Sequence, residues 1–279
     1  MHGKLKWTSG TALDVGLAGL LVLVLASACA APTAAPEATP VPTIPAATSV
    51  PAPTATTVPT DEPTAVPTPT RTATPLPPTA TPEPSARYEL TFEATWSEAT
   101  HPVAFPPNPH FSGLIGASHG SSVRLWEEGG AATPGIQNMA ETGGKSPLDG
   151  EIAALIESGD ACGLISGGGV NPSPGSVTVS FAVTQDCPLV SVVSMIAPSP
   201  DWFVGVSGLS LLEDGGWVEQ KVVELAPYDA GTDSGSTYTA PNEPTADPET
   251  IYRIEVEPLL IDGAVPPLGT FTFTRVGGP

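Results

Sequence analysis

The stretch Met195-Ile196-Ala197-Pro198-Ser199-Pro200-Asp201-Trp202-Phe203-Val204-Gly205 decides the fold, together with Pro227-Tyr228-Asp229-Ala230-Gly231-Thr232-Asp233-Ser234-Gly235 about two dozen residues later. Each is a proline- or glycine-shaped loop that carries aspartate, and the residues between them alternate as strands do. Two such loops at one end of a β-sandwich bring three carboxylates, Asp201, Asp229 and Asp233, within reach of one hard cation. Calcium is the natural candidate, because it takes six to eight oxygens from carboxylates, carbonyls and waters on loops that wrap it. Asp229 and Asp233 stand four apart with Gly231 between them, so the chain can curl back and aim both at one point. The bland alternative is that all three shape turns, where aspartate is common for local hydrogen-bonding reasons. The spacing is not that of an EF-hand, since Gly231 and Ser234 occupy positions where that loop needs an oxygen ligand and a glycine.

Outward from these loops the pattern stays β. Tyr88 to Trp96 alternates apolar on even positions and polar on odd, a half-buried strand. Val177–Val183 alternates too, and Leu189–Ile196 is continuously apolar, as a central strand would be. Further strands are expected at Trp202–Leu212, Trp217–Leu225, Ile251–Leu260 and Thr270–Arg275. One helix is expected after Ser146-Pro147-Leu148-Asp149, with Ser146 as N-cap, Pro147 at the first helical position, a face of Leu148, Ile152, Leu155 and Ile156, and Gly159 as its stop. A shorter helical turn is expected around Ile136 to Glu141. The fold class is therefore mainly β: an antiparallel sandwich with one or two short helices over residues 87–279.

The N-terminal third has another character. There is no aromatic residue between Trp7 and Tyr88, and 16 of the 35 prolines fall between Pro32 and Pro84. Such a segment cannot bury enough apolar surface to offset its ordering entropy. Residues 29–86 are expected to form a disordered Pro/Thr/Ala-rich stalk, with Thr-Pro units favouring polyproline II and a reach on the order of 170 Å at ~3.1 Å per residue. Residues 1–28 follow the layout of an export signal: Lys4 and Lys6, an apolar core from Val15 to Leu25 too short to span a bilayer, then Ala26-Ser27-Ala28. Cys29 follows directly, as in a bacterial lipobox, and would carry a lipid anchor to the membrane. Ala26-Ser27-Ala28 equally suits an ordinary signal peptidase, which would release a secreted protein.

Charge narrows the partners. The net charge is -20 with nine basic residues in all, and removing the signal takes Lys4 and Lys6 away. No basic patch can be assembled from the remainder, which excludes nucleic acid. Cys162 and Cys187 form a disulfide candidate in an oxidising exterior, two free thiols being the alternative.

Three further constellations compete. Gly116-Ala117-Ser118-His119-Gly120 fits the G-x-S-x-G of a nucleophile elbow, yet that geometry needs a later catalytic histidine and none follows His119. His101, His110 and His119 are spaced nine and nine, which matches no common zinc site. Trp202, Trp217 and Tyr228 offer a glycan platform or, more plainly, core packing.

Taken together, Trp96-Ser97, His101-Pro102, Phe105-Pro106, His110-Phe111-Ser112, Gly116-Ala117-Ser118-His119, Trp126, Gly135-Ile136, Ser191–Trp202 and the Asp229–Gly235 loop resemble the spondin domain family over residues 87–279. The resemblance implies a C2-like sandwich with calcium at one end, held by Asp201, Asp229 and Asp233. It also implies a non-catalytic adhesion or recognition role outside the cell, toward a protein or glycan ligand that the sequence does not name. A calcium-dependent carbohydrate-binding module is the alternative.

Overall fold

The computed structural model describes residues 83–277. The expected export signal (1–28), Cys29 and nearly all of the expected stalk (29–86) lie outside the described residues. In chain order the elements are β1 (Ser85–Ala94), β2 (His110–Phe111), β3 (Ile115–His119), α1 (Pro134–Thr142), α2 (Leu148–Ser158), β4 (Ala161–Ser166), β5 (Gly175–Thr184), β6 (Leu189–Ala197), β7 (Trp202–Ser210), β8 (Leu212–Glu213), β9 (Gly216–Trp217), β10 (Gln220–Glu224), β11 (Pro227–Asp229), β12 (Tyr252–Arg253) and β13 (Gly269–Gly277).

These strands make two main antiparallel sheets. One has the order β10-β13-β1-β5; the other runs β12-β11-β7-β6-β3-β4, with β2 also paired to β6. The perfect alternation at the start of the domain is explained directly. Ala86, Tyr88, Leu90, Phe92 and Ala94 of β1 are buried against the facing sheet, and the residues between them point outward. Phe92 sits in an aromatic cluster, with its ring centroid 4.8 Å from Phe111 and 5.1 Å from Phe271.

The continuous apolar run of β6 has a different cause. Its sheet is covered on both faces: Val190, Val192 and Ile196 enter the core between the sheets. Val193, Met195 and Ala197 join a second core with Ile136, Met139, Leu148 and Ile152 of the two helices. The architecture is thus a β-sandwich with a helical layer on the outer face of the larger sheet.

Several expectations change. The helical turn near Ile136 is a full helix, α1, whose N-cap is Thr133 with its hydroxyl accepting from Ile136 N. Ser146 does not cap α2: its N-cap position is Pro147, without a side-chain cap bond. The Glu151 carboxylate of α2 instead accepts from Thr133 Oγ1 and Gly135 N, so it serves the first turn of α1. Ile156 is solvent-exposed at the end of its helix, whereas Leu148 and Ile152 are buried. The strand expected over Trp217–Leu225 breaks into β9 and β10. Of Ile251–Leu260 only Tyr252–Arg253 is strand, because Val256 O takes the Leu259 and Leu260 amides and turns the chain. Cys162 and Cys187 are joined by a disulfide between β4 and the loop that enters β6. Among the described residues, no helix is long and apolar enough to cross a membrane.

Candidate functional site

Asp201 closes the tight connection from β6 to β7. Ser199 shapes that turn, its hydroxyl donating to Ile196 O and accepting from Trp202 N. Asp229 ends β11, which pairs with β7 so that Asp229 is directly opposite Trp202 and, on its other side, Tyr252 of β12. The chain then curls through Gly231, whose φ is +73° and whose hydrogen faces Glu249 O so closely that a Cβ would lie 2.5 Å from it. That curl returns the Thr232 and Asp233 amides to Asp201.

The three carboxylates are therefore gathered at one end of the sandwich, with relative exposures of 0% for Asp201, 5% for Asp229 and 5% for Asp233. Asp201 Oδ2 accepts from Thr232 N at 2.8 Å, Asp233 N at 3.1 Å and Thr232 Oγ1 at 3.2 Å. Its Oδ1 is buried with no N–H or hydroxyl donor on it, and the Asp201 and Asp229 carboxyl groups lie within hydrogen-bonding reach of each other. Asp229 Oδ1 accepts from Gly231 N and its Oδ2 from the Trp202 indole. Asp233 accepts from Gly235 N and Glu243 N, one to each oxygen.

Electrostatically the site is short of positive charge. Burial pushes the Asp201 carboxyl up to about 7, with the neighbouring Asp229 charge adding to the effect. Burial likewise raises Asp229. The cavity beside them, of about 250 Å³, has Asp229, Asp233, Glu249 and Glu257 as its charged lining, with no Lys, Arg or His. Buried carboxylates without a counter-charge are costly.

The cavity lining offers carboxylate oxygens and no cationic side chain to meet them. A hard divalent ion would engage Asp201 Oδ1 and the free lone pairs of Asp229 and Asp233, with backbone carbonyls and water completing the shell. Among the described residues, no three acidic, histidine or cysteine side chains are placed so that they could hold a metal ion as they stand. Closing the shell would need these groups to draw together. Because all three acids are buried, an ion held there would order the loops from within.

Sequence reasoning did not single out Tyr252, Glu249 or Glu257. They reach the site through strand register and the return of the loop after Gly235, and no local motif marks them. It did single out Trp202, whose buried ring packs 5.4 Å from Tyr238.

The competing constellations come apart. Ser118 lies inside β3 and is wholly buried, not at a strand-to-helix elbow, and its Oγ has no partner. The His119 ring turns elsewhere: Nδ1 donates to Gly120 O, and Nε2 accepts from Ser191 Oγ, which in turn accepts from Gly208 N. His101 bonds to Thr100 Oγ1 and His110 to Asn108 O, so the histidines serve three separate loops. Trp217 is buried, with its indole donating to Glu83 O.

The Spondin_N family model matches residues 86–259. The chain is 41% identical to Spondin-1 of Gallus gallus over 175 residues, which is 60% of this chain and 22% of that protein. It is 36% identical to Spondin-2 of Rattus norvegicus over 211 residues, covering 70% of this chain and 63% of the relative. For Spondin-2 of Homo sapiens the identity is 37% over 173 residues, 61% of this chain and 52% of the relative. The aligned part thus spans about a fifth of the length of Spondin-1. With the family model matched across both sheets and both helices, the chain belongs to the Spondin_N family.

Proposed function

We propose that this protein is an exported, non-catalytic recognition domain that binds calcium through Asp201, Asp229 and Asp233. It is held to the cell surface by a lipid on Cys29 and a Pro/Thr stalk. The metal reading is carried by one observation: a wholly buried Asp201 whose Oδ1 receives no N–H or hydroxyl donor, beside a cavity whose charged lining is acidic throughout. Display at a surface is supported by the polarity of β1. At its N-terminal end Glu83 O accepts from the Trp217 indole and from Gln185 Nε2. Past its C-terminal end the Trp96 ring contacts Tyr238, which contacts Trp202 beside Asp229. The chain therefore enters the domain at the pole away from the acidic loops, which a tether would hold outward. The ligand is an extracellular protein or glycan.

Tyr252, on the cavity rim and 42% exposed, favours a second reading as a calcium-dependent carbohydrate-binding module, since an exposed ring beside a cation suits a neutral sugar. Titrating calcium while following tryptophan fluorescence tests the metal. Trp202 donates to a ligand carboxylate, so wild type responds saturably and Asp201→Asn does not. Glycan binding that needs calcium and fails in Tyr252→Ala would select the second reading. An unresponsive wild type would remove the metal from both.

A further inference from the structure

From Ala161 to Gln185 the chain has no Asp, Glu, Lys, Arg or His, although its net charge is -20. This run contains β4 and β5, which are edge strands of the two different sheets. The two edges lie side by side: Cys162 Sγ is 3.5 Å from Thr184 Oγ1, and a Cβ on Gly167, just after β4, would lie 3.0 Å from Val179 Cβ. One flank of the sandwich is thus uncharged along both of its strands. The opposite flank is not, since β10 carries Lys221 and Glu224, and β12 carries Arg253 with Glu255 close behind.

Edge strands are ordinarily blunted by charge, proline or brevity, because an unpaired ladder templates pairing with another chain. β5 has none of these protections: Gly-Ser-Val-Thr-Val-Ser-Phe-Ala-Val-Thr is ten residues long and rich in β-branched side chains. Its Ser176, Thr178, Ser180 and Ala182 face solvent. Among the described residues, no backbone hydrogen bond outside the β1 ladder engages Gly175–Val183. Leu164 of β4 and Ile156 of α2, 46% and 37% exposed, belong to the elements adjoining this flank.

We infer that β5 is a self-association edge, at which a second copy of this chain adds its own β5 in antiparallel register to make one continuous eight-stranded sheet. The charge distribution argues for a like partner. Two polyanions repel over most of their surfaces, and this flank is where they meet without opposing like charges. Antiparallel pairing of a strand with itself also closes under two-fold symmetry, so the assembly stops at a dimer. Side-chain alternation fixes the register: outward residues must oppose outward residues, so a central overlap sets Ser180 against Ser180 or Thr178 of the second copy.

The test is sedimentation equilibrium of the full chain carrying Cys29→Ser, so that no lipid draws copies together, from 1 to 200 μM. Wild type in that background is expected to approach twice the monomer mass. Ser180→Glu and Ser180→Lys, both at an exposed position directly opposite Glu89 of β1, should each weaken association at least tenfold although their thermal midpoints move in opposite directions, down for Glu and up for Lys. Mixing the two variants one to one should restore dimers, because opposite charges then meet across the join. A wild type that stays monomeric throughout overturns the inference, as do variants that dimerise like wild type. A mixture that fails to recover overturns the β5 pairing.

Discussion

The Trp202 indole Nε1 donates to Asp229 Oδ2 at 3.1 Å, and the same two residues are directly opposed between β7 and β11. Backbone register thus brings together the residue after one acidic loop and the first acid of the next. Trp202→Phe keeps the ring against Tyr238 but removes the donor. It is expected to cost about 1.5–3 kcal/mol, the usual worth of a hydrogen bond to a charged group. Urea denaturation checks this, and an unchanged midpoint would mean that the indole merely fills space.

Gly231 carries the curl that returns the Thr232 and Asp233 amides to Asp201. Gly231→Ala must place a Cβ 2.5 Å from Glu249 O at a φ of +73°. Strain and a backbone clash together should cost about 2 kcal/mol or more. Calcium response should weaken with it, because the Asp229–Asp233 turn can no longer close. Stability and calcium titration on the same variant check both parts.

His119 gives the fold an acid-sensitive point. Burial holds its pKa below the ordinary 6.5, the hydrogen bond to Gly120 O acting in the other direction. The folded state therefore binds fewer protons than the unfolded state just below pH 6.5, so this group removes stability as pH falls through that window. His119→Gln, which keeps a donor and an acceptor, should flatten the loss. Urea midpoints at pH 7.5 and 5.0 for both proteins test it; equal losses would show that His119 does not contribute.

The disulfide between Cys162 and Cys187 closes a loop of sequence separation 25. Loop-closure entropy alone assigns it about 3.5 kcal/mol. Replacing both cysteines by serine should lower stability by that order, and the wild type under reductant should match the variant. A loss under 1 kcal/mol would place the constraint in the β3–β4 ladder instead.

The legible parts of this sequence were those where burial differs between the faces of an element. β1 alternates because one face is core and the other is water; β6 is continuous because both faces are covered. β3 escaped notice for the same physical reason. All five of its residues are buried, and after Ile115 they are small or polar, including Gly116, where a Cβ would lie 2.0 Å from Ser191 O. No apolar period survives such a strand. At the candidate site the three aspartates stood out as loop acids. The groups that complete the cavity, Glu249, Tyr252 and Glu257, arrive from a later segment through pairing with β11 and the Gly231 turn, a relation written in register and not in local sequence.

The most direct measurement is the melting temperature of wild type and Asp201→Asn, each in 1 mM calcium and in chelator. For a dissociation constant on the order of 10 μM, linkage gives about 2.7 kcal/mol. That corresponds to an upward shift of roughly 5–11 °C for wild type. Asp201→Asn keeps an oxygen for the Thr232 and Asp233 amides but removes the charge facing Asp229. It should show no calcium shift, and in chelator it should melt at or above wild type. A wild type indifferent to calcium, or a variant that shifts equally, would contradict the carboxylate site.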